Sequence, residues 1–131
     1  MTVNEAYQIA LSLDDTTTEQ DDSLRPHMVN YCNLFLLETF RNENAIREHN
    51  KRPLLKSVPL VYNITDSVPY DEELVRSAFP FFIASQVSKS DADNVWASRY
   101  YDMYLNAVNS VTPFLEGQVD VWGKEDCTGG R

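Results

Sequence analysis

The chain has 131 residues, 43% of them hydrophobic, and a formal net charge of -9. That length suits a single domain with a modest core, and the apolar content excludes wholesale disorder. The acidic excess argues against tight gripping of phosphate backbones, which requires clustered Lys and Arg. It is compatible with simple solubility, with a nucleic-acid-mimicking surface, or with a passage that DNA crosses without sticking.

The two cysteines, Cys32 and Cys127, make no disulfide framework and suit free thiols in a reducing compartment. The chain does not open on a basic stretch followed by an apolar run, so no signal peptide is expected. The longest apolar run, residues 78–84, falls far short of a membrane span. Asn63-Ile64-Thr65 fits the glycosylation pattern and, with no secretory leader, is read as chance. All four glycines, Gly117, Gly123, Gly129 and Gly130, lie near the C-terminus. Phosphate-cradling loops, dinucleotide fingerprints and nucleophile elbows need glycine for positive φ or close ligand approach, so the glycine-free remainder excludes them. It also removes the usual hairpin turn chemistry and favours helices.

In chain order, Thr2 and Glu5 form a capping-box pattern before Val3, Ala6, Tyr7, Ala10 and Leu13, which recur at helical spacing. A helix is expected over residues 3–13. Residues 14–22 carry Asp14, Asp15, Glu19, Asp21 and Asp22 with no basic partner. These are hard oxygen ligands, but the calcium-loop spacing and its glycine are missing, so a solvated loop is expected rather than a metal site.

Residues 23–49 give the longest helical pattern, with Pro26 in the first turn, where its missing N–H costs nothing. Met28, Cys32, Phe35, Leu36, Thr39 and Phe40 mark one face, and Tyr31 and Leu37 widen it toward burial on two sides. Beyond Phe40 the sequence turns polar, so this end is expected to project from the core. Residues 50–69 hold three prolines around a β-prone centre, 58–64. A connection this long is usually functional. An extended arm is expected, either pairing with a neighbouring chain through Leu60, Val61, Tyr62 and Ile64 or packing across its own helices.

A third helix starts near Tyr70 or Asp71, with acidic residues favourably placed against its N-terminal dipole. Its buried face is Leu74, Val75, Ala78, Phe79, Phe82, Ile83 and Val87, and Pro80 is expected to kink it. Ser90 or Asp91 caps a fourth helix with the stripe Val95, Trp96, Tyr100, Met103, Tyr104, Ala107, Val108 and Val111, ended by Pro113. Such a stripe is read as core. In the remaining tail, Val119, Val121 and Trp122 alternate like a short strand or docking peptide, and Trp122 suggests an anchor on another surface.

No constellation points to catalysis. His27 and His49 stand at opposite ends of one predicted helix, too far apart to share a site. Cys32 and His27, five apart, do not share a helical face. The abundant carboxylates show no apolar setting that would tune one for proton transfer. No enzyme activity, cofactor or metal is expected. The basic residues do cluster: Arg41, Arg47, Lys51, Arg52 and Lys56 sit in an otherwise acidic chain. They form either a solvated helix end or a subunit contact that meets the 14–22 loop or the 71–73 turn of another copy. Opposed charged faces of that kind suit a head-to-tail ring.

Several segments together resemble one family. They are Val68-Pro69-Tyr70-Asp71-Glu72-Glu73-Leu74, Ala78-Phe79-Pro80-Phe81-Phe82-Ile83-Ala84, the turn Ser90 to Asp93, and Arg99-Tyr100-Tyr101-Asp102-Met103-Tyr104, with Asn44-Ala45-Ile46-Arg47-Glu48 ahead of the arm. Over most of residues 1–111 this pattern resembles the head–tail connector (adaptor, or head-completion) proteins of tailed bacteriophages. The resemblance implies a structural virion protein at the neck, assembled in the host cytoplasm. It implies a homo-oligomeric ring, usually of twelve, that contacts the portal protein and a tail or stopper protein. DNA would pass through the lumen without sequence-specific binding, and no membrane would be involved. Val119, Val121 and Trp122 would reach the portal.

The expected architecture is therefore all-α: a four-helix bundle-like domain over residues 1–113, an arm over 50–69 and a docking tail over 114–131. A different class fits the same acidic helical composition: a small cytoplasmic regulator, of antitoxin or DNA-mimic type, that binds a basic partner. Long extensions toward neighbours favour the ring subunit over the compact mimic.

Overall fold

The computed structural model describes residues 1–13 and 21–113, and over them the protein is all-α. The elements are α1 (Val3–Leu13), the one-turn α2 (Asp21–Leu24), a 3-10 turn Arg25–His27, α3 (Met28–Glu38), α4 (Phe40–His49), α5 (Glu72–Ser90) and α6 (Asn94–Val111). Among the described residues no β-strand forms. A single antiparallel bridge joins Thr2 to Ser67.

α1 begins where the capping box places it. The Thr2 N–H donates to Glu5 Oε1 at 2.8 Å, and the Glu5 N–H donates to Thr2 Oγ1 at 3.1 Å. Two further first-turn donors, otherwise without helical partners, go to the long connection: Val3 N–H to the Asp66 carbonyl and Asn4 N–H to the Ile64 carbonyl. Val3, Ala6, Tyr7 and Ala10 are buried, and Leu13 is exposed.

The expected single helix over 23–49 is instead a 3-10 turn containing Pro26, then α3, a break at Thr39, and α4. The cause is local. The buried Thr39 hydroxyl donates to the Phe35 carbonyl at 2.7 Å, and the Tyr70 hydroxyl donates to the next carbonyl, Leu36. Side-chain donors inserted into the i→i−4 ladder bend helices. Beyond the break the polar end of α4 does not project. Glu43, Ala45 and Ile46 are buried. Leu37, expected to be inside, is 61% exposed.

α5 is apolar nearly all round and is the central helix, contacted by α1, α3 and α6. All seven residues expected on its inner face are buried, and so are Pro80, Ala84, Ser85 and Ser88. It continues through Pro80 to Ser90. The Asp71 carboxylate caps its start, accepting from the N–H groups of Glu73 and Leu74. Phe35 is the aromatic hub. It stacks on Phe79 with centroids 4.8 Å apart and makes tilted contacts with Phe82, Tyr70 and Tyr104.

α6 lies outermost. Its cap is Asp93, whose carboxylate accepts from the Trp96 N–H, rather than Ser90 or Asp91. Of the expected stripe only Tyr100, Tyr104 and Val108 are buried; Val95, Trp96 and Met103 are exposed. α4 and α5 both end in Schellman motifs. Arg52 N–H returns to the Arg47 carbonyl and Lys51 N–H to Glu48; Asp93 N–H returns to Ser88 and Ala92 N–H to Lys89. Both motifs put a non-glycine residue in the left-handed region, Lys51 at φ 58° and Ala92 at φ 61°. The sequence reading ended these helices near His49 and Ser90, but with the usual glycine signal absent it did not anticipate the left-handed residues at Lys51 and Ala92.

Candidate interaction surfaces

Two surfaces flank α3: the connection between α4 and α5 on one side, and a groove bounded by α5 and α6 on the other. The connection is extended and is held by side-chain amides. Asn33 Oδ1 accepts from the Val61 N–H at 2.9 Å, while its Nδ2 donates to the Val61 carbonyl at 3.1 Å. Asn44 does the same to Leu55, at 2.8 and 3.1 Å. Asn33 meets the later residue and Asn44 the earlier one, so the segment runs antiparallel to α3–α4.

The far end of the segment is tied down by Asp66, which accepts from the N–H groups of Tyr62 and Asn63. Those two backbone donors hold its carboxyl below the usual range. Val61 and Val68 enter the core, and Ile64 packs partly buried against it. Leu60 (57% exposed) and Tyr62 (76% exposed) flank Val61 and face solvent, as does Leu54. Of the residues proposed from sequence for neighbour contact, Val61 and Ile64 thus pack within their own chain, and Leu60 and Tyr62 remain outside. The segment makes no strand pairing at its centre. Pro53 and Pro59 supply no N–H there, and the asparagines occupy the backbone groups of Leu55 and Val61.

The five basic residues divide as well. Arg47 is committed internally: its Nε donates to Glu43 Oε2 at 2.6 Å and its Nη1 to the Pro53 carbonyl at 3.3 Å. Glu43 is 0% exposed, and its other oxygen accepts from the Asp71 N–H at 2.7 Å. This buried carboxylate joins α4 to the start of α5. No apolar setting was visible for it in sequence, because the residues around it come from distant segments. The i, i+4 spacing of Glu43 and Arg47 was the one local signal. Arg52 lies 3.9 Å from Asp71 of its own chain. Arg41, Lys51 and Lys56 are exposed, so the cationic ridge comprises Lys51, Arg52 and Lys56 along the connection with Arg41 beside it.

The groove on the other side of α3 has a volume of about 680 Å³ and opens to solvent. Phe82 forms part of its floor, and Leu34, Glu38, Gln86, Lys89, Tyr101 and Asp102 are among its walls. Glu38 Oε1 accepts from the hydroxyls of Tyr104 (3.1 Å) and Tyr101 (3.3 Å). Burial first, and then the Glu38 charge, push both phenols above their ordinary range, most strongly Tyr104. Asp91 and Asp93 are exposed on the α5–α6 turn. Trp96 makes a tilted ring contact with Tyr100 and carries the Arg99 guanidinium over its ring at 5.0 Å.

Cys32 is buried in the core, where burial and then the Asp66 charge push its thiol up to about 12. His27 lies against Tyr31 at the start of α3, and His49 ends α4. Among the described residues no group of three or more His, Cys, Asp or Glu could hold a metal ion. No helix among them is long and apolar enough to cross a membrane. The proposed docking residues Val119, Val121 and Trp122, with Cys127, lie outside the described residues, as does most of the acidic 14–22 segment. No family model, curated protein or solved structure matches the chain.

Proposed function

We propose that this chain is a non-enzymatic assembly subunit, a head–tail connector of the tailed-phage type that forms a ring between portal and tail. The observation that carries this reading is the pinned connection. Asn33 and Asn44 hold an extended segment rigidly against α3–α4 while Leu54, Leu60 and Tyr62 are displayed beside Lys51, Arg52 and Lys56. A preorganised ridge of apolar and cationic side chains on an acidic protein is suited to recognising another macromolecule, because little ordering entropy remains to be lost on contact. The four longer-range features expected from sequence, a helical body, an arm, opposed charges and a tail after Pro113, suit the same role. In it, residues 1–113 form the ring body and 114–131 reach the portal, and the acidic excess keeps the lumen from gripping DNA.

The test is light scattering of the purified protein, alone and mixed with a portal ring from the same phage or prophage gene cluster. Co-migration with the portal as a high-order complex is expected. A chain that ignores the portal and instead captures a single basic protein would replace the connector with the acidic-regulator reading.

A further inference from the structure

We infer that the groove between α3, α5 and α6 is the socket for the arm of a second copy of this chain. This rests on the assembly-subunit reading and names the surfaces that would join its subunits. The two surfaces are complementary in charge and in apolar character. The groove side offers Glu38 and Asp102, with Asp91 and Asp93 on the turn above, against one lysine, Lys89. The ridge offers Lys51, Arg52 and Lys56. Leu34 (45% exposed) is an apolar part of the groove wall, and Leu54, Leu60 and Tyr62 are the exposed apolar residues of the ridge. Both sides are preorganised, the ridge by Asn33 and Asn44, the socket by two tyrosine hydroxyls on Glu38.

The contact has to be made between copies. At about 100° per helical residue, Leu34 and Glu38 lie roughly 100° and 140° around α3 from Asn33, the residue that holds the arm. A single chain therefore presents ridge and socket on different sides of one helix and cannot join them to each other. Patches on different sides of the chain that meet head to tail between identical copies make a heterologous contact, which closes into a ring when the rotation allows and otherwise extends as an open filament. Arg52 already neighbours Asp71 in its own chain, so the acidic counterpart in the next copy is better supplied by the groove than by the start of α5.

The experiment uses full-length protein in sedimentation velocity from micromolar to millimolar concentration, at low and high salt. The socket variant is Leu34→Glu/Asp102→Lys, and the ridge variant is Lys56→Glu/Tyr62→Ser. All four positions are exposed, and a circular dichroism melt of each variant checks that the fold is retained. Wild type is expected to associate with concentration, at least about tenfold more weakly in high salt. Each variant alone is expected to stay monomeric. Their equimolar mixture is expected to give a one-to-one dimer and nothing larger, because one intact ridge and one intact socket remain. A wild type that is monomeric at millimolar concentration, variants that assemble like wild type, or a mixture that does not dimerise would each overturn the socket. If such subunits still bind the portal, the connector reading survives without it.

Discussion

Asn33 and Val61 are joined as two strands of a sheet would be: the asparagine amide gives and takes one hydrogen bond with the valine backbone. Asn44 repeats the arrangement on Leu55. Asn33 lies on α3 and Asn44 on α4, either side of the break at Thr39, and both turn to the same connection. Two side chains on helices thus do for the extended segment what a neighbouring strand does in a β-protein, and they do it with a proline near each pinned site.

Replacing Asn33 or Asn44 with Ala should release the arm while the helices stay folded. Each change should cost about 1–3 kcal/mol, because a backbone donor and acceptor lose their partners together. Hydrogen exchange is the decisive readout: the amides of Val61 and Leu55 should lose protection in their respective variants while α5 keeps its own. Uniform loss across the chain would mean that the asparagines support the whole fold rather than the arm.

Ala92→Gly and Lys51→Gly should each stabilise the protein, by up to about 1 kcal/mol. Both residues occupy the left-handed region, at φ 61° and 58°, where a Cβ is strained against the following carbonyl. The gain is smaller than the strain because glycine adds freedom to the unfolded chain. Urea denaturation midpoints measure it. A lower midpoint for both variants would contradict the strain argument.

Glu43→Leu should destabilise by about 3–5 kcal/mol, since it leaves the largely buried Arg47 without its carboxylate and the Asp71 N–H without its acceptor. Glu43→Gln keeps an oxygen for Asp71 and should cost less. Adding Arg47→Met to Glu43→Leu should recover part of the loss, and a double-mutant cycle in urea reads that coupling. Strict additivity would show that the pair is not coupled.

The Cys32 thiol should be unreactive in the native state at pH 8. In a Cys127→Ser background, Ellman's reagent should label Cys32 only as fast as the protein opens. Its raised pKa also has a stability consequence. The folded state holds this proton up to about 12, whereas the unfolded thiol releases it near its ordinary 9.0. Stability from this group is therefore complete below about pH 9 and declines as pH climbs toward 12. Cys32→Ala should remove that part of the alkaline slope, and an unchanged slope would assign it elsewhere.

The periodicity of apolar residues was enough to place α1, α5 and the body of α6, and the Thr2–Glu5 capping pattern located the first helix start. These are short-range properties, set by hydrogen bonds and side-chain spacing within a few residues. The sequence also determined the absence of glycine before residue 117, and with it the helical class. The tertiary structure decided what lies across many residues. The break at Thr39 depends partly on Tyr70. The burial of Glu43 depends on the start of α5, and the path of the arm depends on two asparagines that look like surface residues. Leu37, Trp96 and Met103 carry apolar periodicity yet stay exposed, because the face of a helix that is covered depends on which neighbours arrive. Local pattern sets where a helix begins and which residues share a face; the packing of distant segments sets which face is core and which remains open to a partner.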